Sequence, residues 1–180
     1  MDMKRMQKKN PKNLAENTPN VSVLDDVTVK LYNSSGTCIG STLTDRNGYF
    51  LFDDACDEGN DYTVKFNKSG YYNYSTSFTC DGAESIDATL SPTKIYGYID
   101  VNYGPARVDL ELRTPSGTIV YDTSIWNVRE DPKSFSIVGF AELNTKYYLE
   151  YQSSISEDSN VITINFGEED YYCGYLHLDY

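Results

Sequence analysis

The chain has one histidine and one tryptophan in 180 residues. It has no uninterrupted apolar run near the roughly 18 residues that a membrane-spanning helix needs. These scarcities exclude several classes of function. A zinc site drawing on histidine has almost nothing to draw on, and no CxxC pair occurs among Cys38, Cys56, Cys80 and Cys173. There is no glycine-rich phosphate loop and no dinucleotide fingerprint. Residues 1–20 contain no apolar core of the kind a secretory leader carries. Long Leu/Ala/Glu/Lys tracts, the material of helices, are also missing, whereas tyrosine, threonine and valine are plentiful. Seventeen tyrosines and a 39% apolar content point to strands that bury a modest core.

Charge is uneven. Residues 1–20 hold five basic and two acidic side chains, while the remainder holds ten basic and twenty-five acidic. An acidic body repels phosphate backbones and anionic lipid, so neither nucleic acid nor membrane insertion is expected. The basic tail reads as a flexible segment, broken by Pro11 and Pro19. Docking on the acidic body of a neighbouring copy is the alternative.

From Val21 the chain shows period-two alternation with turn punctuation. Val27, Val29 and Leu31 share one face, and Thr28, Lys30 and Tyr32 share the other. Further strands are expected at 38–43, 49–52, 62–66, 76–80 and 86–90, with a boundary near Pro92. KIYGYIDV (94–101) then opens a second series, followed by 108–113, 119–123, 135–138, 147–151, 161–166 and 174–180. The two series align. VTVKLYNSSGT (27–37) matches VDLELRTPSGT (108–118) at an offset of 81. Tyr62, Val64 and Phe66 match Tyr147, Leu149 and Tyr151 at an offset of 85, as Phe50 matches Phe135. An internal repeat of short strands predicts an all-β chain with a basic tail over 1–20 and β-sandwiches over 21–91 and 92–180.

The repeat has one gap. The counterpart of 94–101 is LAENTPN (14–20), a poor strand with one large apolar residue. The first domain is therefore expected to lack an edge strand. An open edge can accept a strand from another chain, with Val21 and Val23 as the assembly edge, or be covered by its own 21–24 segment.

The first domain resembles the transthyretin-like sandwiches of carboxypeptidase regulatory domains and the Ig-like B-type repeats of Gram-positive surface proteins. The resemblance rests on VTVKLY (27–32), Gly36, TLTD (42–45), GYFLF (48–52), YTVKF (62–66) and GYY (70–72). It implies two tandem antiparallel sandwiches of Ig-like or transthyretin-like type. It also implies a non-enzymatic structural or adhesion role on a cell surface, filament or virion, with other copies of itself or another surface protein as partners. Some members of the group hold calcium in acidic loops. Asp53, Asp54 and Asp57 lie in such a loop, but D-x-[DN]-x-[DN]-G is absent, so a solvated loop without cofactor is the first reading and calcium the second.

Three further features carry candidate chemistry. Cys56 and Cys80 flank a predicted strand pair and are the first choice for a disulfide, leaving Cys38 and Cys173 free. Tyr71, Tyr72 and Tyr74 sit on a predicted loop beside Asn67 and Asn73. Loop-borne tyrosines suit sugar or protein recognition, and they equally suit a core that uses Tyr in place of Phe. His177 and Asp179 share a strand face, but no nucleophile in a recognisable setting accompanies them. Sequons at Asn20, Asn33, Asn67 and Asn73 matter only in a glycosylating compartment.

Overall fold

Alternation and turn chemistry produce eleven strands in a computed structural model that describes residues 23–53, 55–82, 84–102, 104–155 and 159–179. The basic tail, Val21 and Asp54 lie outside the described residues. The chain divides into two compact units. The first takes the residues before Ser69 and Asn73–Leu90; the second takes Ser69–Tyr72 and Ser91–Tyr180.

In the first unit, β1 (Thr28–Asn33), β2 (Cys38–Leu43), β3 (Asp61–Asn67) and β4 (Tyr74–Thr79) form one antiparallel sheet in the order β2-β1-β3-β4. The alternating residues fill a single face. Val29, Leu31 and Val64 are fully buried, with Val27, Tyr62 and Phe66 beside them. Residues expected as third and sixth strands behave differently. The segments 49–52 and 86–90 belong to no ladder among the described residues. They nonetheless lie on the same core through Phe50, Phe52, Ile86, Ala88 and Leu90. Among the described residues the first unit therefore shows one sheet, with irregular chain packed on its core.

The second unit has both layers. β5 (Lys94–Val101), β8 (Lys133–Val138) and β11 (Tyr171–Leu178) make one sheet in the order β11-β5-β8. β6 (Ala106–Arg113), β7 (Ile119–Val128), β9 (Thr145–Ser153) and β10 (Ser159–Phe166) make the other, in the order β10-β9-β6-β7. Both sheets contribute to one core, built around Ile95, Ile99, Val108, Leu110, Leu112, Leu149 and Ile164, all fully buried. Two expectations change here. KIYGYIDV is the middle strand of its sheet, not an edge. It also runs parallel to β11, so the fold is not wholly antiparallel.

The internal repeat extends to individual hydrogen bonds. In the first unit Gly36 N donates to Asn33 O and Asn33 N to Thr37 O; in the second, Gly117 N donates to Thr114 O and Thr114 N to Thr118 O. Asn33 Oδ1 accepts from Thr37 N as Thr114 Oγ1 accepts from Thr118 N. Both turns put a glycine in the left-handed region, at φ 78° and 88°. The Tyr62 hydroxyl accepts from Asp57 N at 3.0 Å, and the Tyr147 hydroxyl from Glu142 N at 2.8 Å. Each tyrosine buries its ring and fixes the loop five residues upstream, which explains why Tyr and not Phe stands at both positions.

Candidate functional site

The expected tyrosine loop is divided by the fold. Ser69–Tyr72 packs with the second unit, while Tyr74 lies on β4 of the first. Tyr72 N donates to Ser91 O, and Thr93 hydrogen-bonds Gly70 O through both its amide and its hydroxyl. The Tyr72 ring stacks on Phe166 with centroids 6.5 Å apart, and its hydroxyl donates to Asp170 at 2.9 Å. Burial first, then the bond to Asp170 and the nearby Glu169 charge, raise the Tyr72 pKa far above its ordinary value. Tyr72 thus packs against the core of the second unit while remaining partly exposed. Tyr74 leans on Phe66 at 5.9 Å and is 38% exposed.

Cys56 and Cys80 are bonded, closing 24 residues of chain, and both are buried. The bridge ties the acidic loop to the end of β4, where Cys80 N donates to Asn60 O and Gly59 N to Cys80 O. Cys38 is free and exposed; Cys173 is free and partly buried, and burial pushes its thiol up to about 12.

Asp53 and Asp57 are exposed, and Asp61 accepts a hydrogen bond from the Thr79 hydroxyl at 2.6 Å. Calcium takes six to eight convergent oxygens. Among the described residues no group of three or more acidic, histidine or cysteine side chains stands close enough to hold a metal ion. Among the same residues no helix is long and apolar enough to cross a membrane.

Val23 is 64% exposed, and its side chain lies beside Gly48, where an added Cβ would come within 3.4 Å of it. Asp26 N then donates to Thr44 O, and Val27 N to the Thr44 hydroxyl, which itself donates to Leu24 O. Chain entry is thus tied to the Asp45–Tyr49 turn. Asp45 Oδ1 accepts from Asn47 N and Tyr49 N there.

His177 pairs with Asp100 through Nδ1 and with Asp179 through Nε2 at 3.1 Å, and Asn102 donates to the same Asp179 oxygen. The Asp100 bond is the main cause of its raised pKa. With both ring nitrogens engaged by carboxylates, the imidazolium is favoured and neither nitrogen is left to act as a base.

One feature was not singled out from the sequence. The outer face of the β5–β11 pair carries Tyr96 against Tyr172, with centroids 5.2 Å apart, and Tyr98 against Tyr175 at 5.0 Å, stacked. Tyr98, Tyr172 and Tyr175 are 38%, 48% and 66% exposed. Outward alternation in KIYGYID signals half of this row. The other half needs the parallel register of β5 on β11, which no local pattern encodes.

A strand-turn-strand unit, closed by turn glycines and a tyrosine-to-loop hydrogen bond, thus recurs in both units of an all-β fold. The chain belongs to the SdrD B-like domain family, which matches residues 11–120. No curated protein matches it. Among solved structures, the Bacillus anthracis TIE protein aligns over 87% of this chain at 14% identity, with a TM-score of 0.41. The chain spans only 30% of that protein's length. Shaft pilin SpaA from Lactobacillus rhamnosus GG aligns over 87% of this chain and 88% of its own, at 10% identity and a TM-score of 0.34.

Proposed function

We propose that the chain is a non-enzymatic structural subunit exposed on a cell surface, filament or virion, assembling with other copies or with another surface protein by strand addition. The observation that carries this is family membership over 11–120. The Cys56–Cys80 bridge supports an oxidising location. The N-terminal segment is the part expected to act in assembly. Sizing the intact protein by light scattering tests this. Deleting residues 1–20 is expected to convert oligomers to folded monomers; unaltered assembly sinks the role of the tail.

The exposed tyrosine row favours a second reading, a carbohydrate-binding module. Tyrosine rings offer flat faces to the apolar side of sugar rings and hydroxyls to their polar edges. On this reading, Tyr98→Ala with Tyr175→Ala abolishes a glycan-array signal while the melting temperature stays within about 3 °C, since both side chains are exposed. A signal that survives the double change rules out the row.

A further inference from the structure

The two units carry charge of opposite sign at equivalent positions of the repeat. At the offset of 81, Lys30 corresponds to Glu111; at the offset of 85, Lys65 corresponds to Glu150. Lys30 stands directly opposite Lys65 in the β1–β3 ladder, and Glu111 directly opposite Glu150 in the β6–β9 ladder. Each pair lies in a rung that crosses its sheet. The first reads Ser41, Lys30, Lys65, Ser75 and the second Asp122, Glu111, Glu150, Val161. Both rungs lie on the face away from the core, since the strand neighbours Leu31, Val64, Leu112 and Leu149 are fully buried.

Like charges directly opposite one another destabilise a sheet. Edge protection does not explain them, because β1, β3, β6 and β9 are the inner strands of their sheets. Nor does overall charge: residues 23–90 hold eleven acidic and four basic side chains, yet two of those four bases are set side by side. Lys30 and Lys65 are exposed, and among the described residues no carboxylate pairs with either; Lys65 lies over the Tyr32 ring at 4.6 Å. In the second unit Arg113 bonds both glutamates, reaching Glu150 at 3.0 Å. The glutamate side chains remain 35% and 32% exposed, and Asp122 is exposed. Three carboxylates less one guanidinium leave two negative charges on the second rung, against two positive charges on the first.

We infer that the outward face of the β2-β1-β3-β4 sheet in one copy of this chain docks on the outward face of the β10-β9-β6-β7 sheet in a second copy, with Lys30 and Lys65 set against Glu150 and Glu111. This docking rests on the assembly reading above but needs no exchanged strand. Both pairs are direct cross-strand partners, about 5 Å apart at Cβ, so one rung can match the other at both charged positions. The lysines lose their mutual repulsion, and two glutamates that share one arginine gain a cation each. With the rungs running in opposite directions, β2 lies over β10. Ile39 and Leu43 of β2 are 44% and 56% exposed and flank Ser41; Val161 of β10 is 55% exposed. They supply an apolar margin, while the Ser75 hydroxyl comes to Asp122. Residues 1–22 hold five basic and two acidic side chains, the wrong sign to cover the lysine rung. Each copy has one face of each sign, so a single contact leaves a face at either end and assembly continues head to tail.

The test is light scattering on the intact chain and on two charge reversals. Lys30→Glu with Lys65→Glu makes both faces acidic; Glu111→Lys with Glu150→Lys makes both basic. Each variant alone is expected to stay monomeric where the unaltered chain associates. An equimolar mixture is expected to associate again, because every acidic face then meets a basic one. Raising salt from roughly 50 to roughly 500 mM should weaken association of the unaltered chain at least about tenfold. Lys30→Ser with Lys65→Ser removes no buried group and decides the matter where a reversed variant fails to fold. Its association should be at least about tenfold weaker, with a melting temperature within about 3 °C of the unaltered chain. Variants that associate as the unaltered chain does overturn the docking; if deleting residues 1–20 then abolishes association, strand addition stands alone. Folded reversals that stay apart when mixed overturn it too. Association lost in each reversal, restored on mixing and unaffected by deletion of 1–20 supports the docking and overturns the role of the tail. An intact chain that is monomeric at every concentration overturns both.

Discussion

Replacing Cys56 and Cys80 together by alanine is expected to destabilise the first unit by about 3 kcal/mol, the chain-entropy value for a closed loop of this length. The bridge spans 24 residues and joins the acidic loop to the end of β4. Among its described residues the first unit has one four-stranded sheet, with irregular chain packed on its core. A small core has little stability in reserve, so a cross-link matters more there than in a larger one. Both cysteines are also buried, which adds lost packing to the lost cross-link. At 4–8 °C per kcal/mol for a domain of this size, the melting transition of the first unit should fall on the order of 10–20 °C. Thermal unfolding followed by exchange of the Val29, Leu31 and Val64 amides reads that unit. Reductant added to the unaltered protein should reproduce the loss. An unchanged transition in both experiments would mean that the bridge does not form in solution.

Gly70→Ala is the second large effect, expected to cost about 3 kcal/mol or more. Gly70 has φ +77°, a left-handed conformation unfavourable for alanine. Its added Cβ would also fall 2.0 Å from Gly139 O, a backbone atom that no rotamer change can move aside. Around that contact, Gly139 N donates to Thr93 O, and the Thr93 hydroxyl is shared between Gly70 O and Ala141 O at 3.0 and 2.8 Å. Making room for a methyl group therefore breaks a buried hydrogen-bond cluster as well as straining one residue. Gly36→Ala is the control: it has the same left-handed φ, at 78°, and open space around its added Cβ. Denaturant unfolding should show a loss of about 1–2 kcal/mol for Gly36→Ala and a clearly larger one for Gly70→Ala. Equal losses would show that backbone conformation alone, without the close approach, sets the cost.

Local features of this chain are legible because their causes are local. The alternation of Val27, Val29 and Leu31, or of Tyr62, Val64 and Phe66, states which side chains face a core, and the structure buries all six. The turn glycines at 36 and 117 follow from their polar flanks, and their hydrogen bonds repeat one for one. Leu176 and Leu178 are inward, as their spacing indicates.

What failed to show was partnership at long range. Tyr49–Phe52 and Ile86–Leu90 alternate like strands, yet they enter no ladder among the described residues. A strand exists only if a neighbour supplies its hydrogen bonds. The same reason misplaced KIYGYIDV as an edge. Its pattern states that one face is buried but does not state that β8 and β11 lie on both sides. Tyr72 looked like a free loop residue because Phe166 and Asp170, which hold it, lie far along the chain.

The sequence by itself determined the all-β class, the repeat with its two offsets, the inward faces of its strands and the turn positions, because each depends on residues a few positions apart. Only the tertiary structure decided which strands pair, that β5 is central and runs parallel to β11, and that the described residues of the first unit form one sheet. It also decided that Tyr96, Tyr98, Tyr172 and Tyr175 form one row. The β5 pairings join residues 34 to 77 positions apart, and a register of that kind is settled by the packing of whole layers.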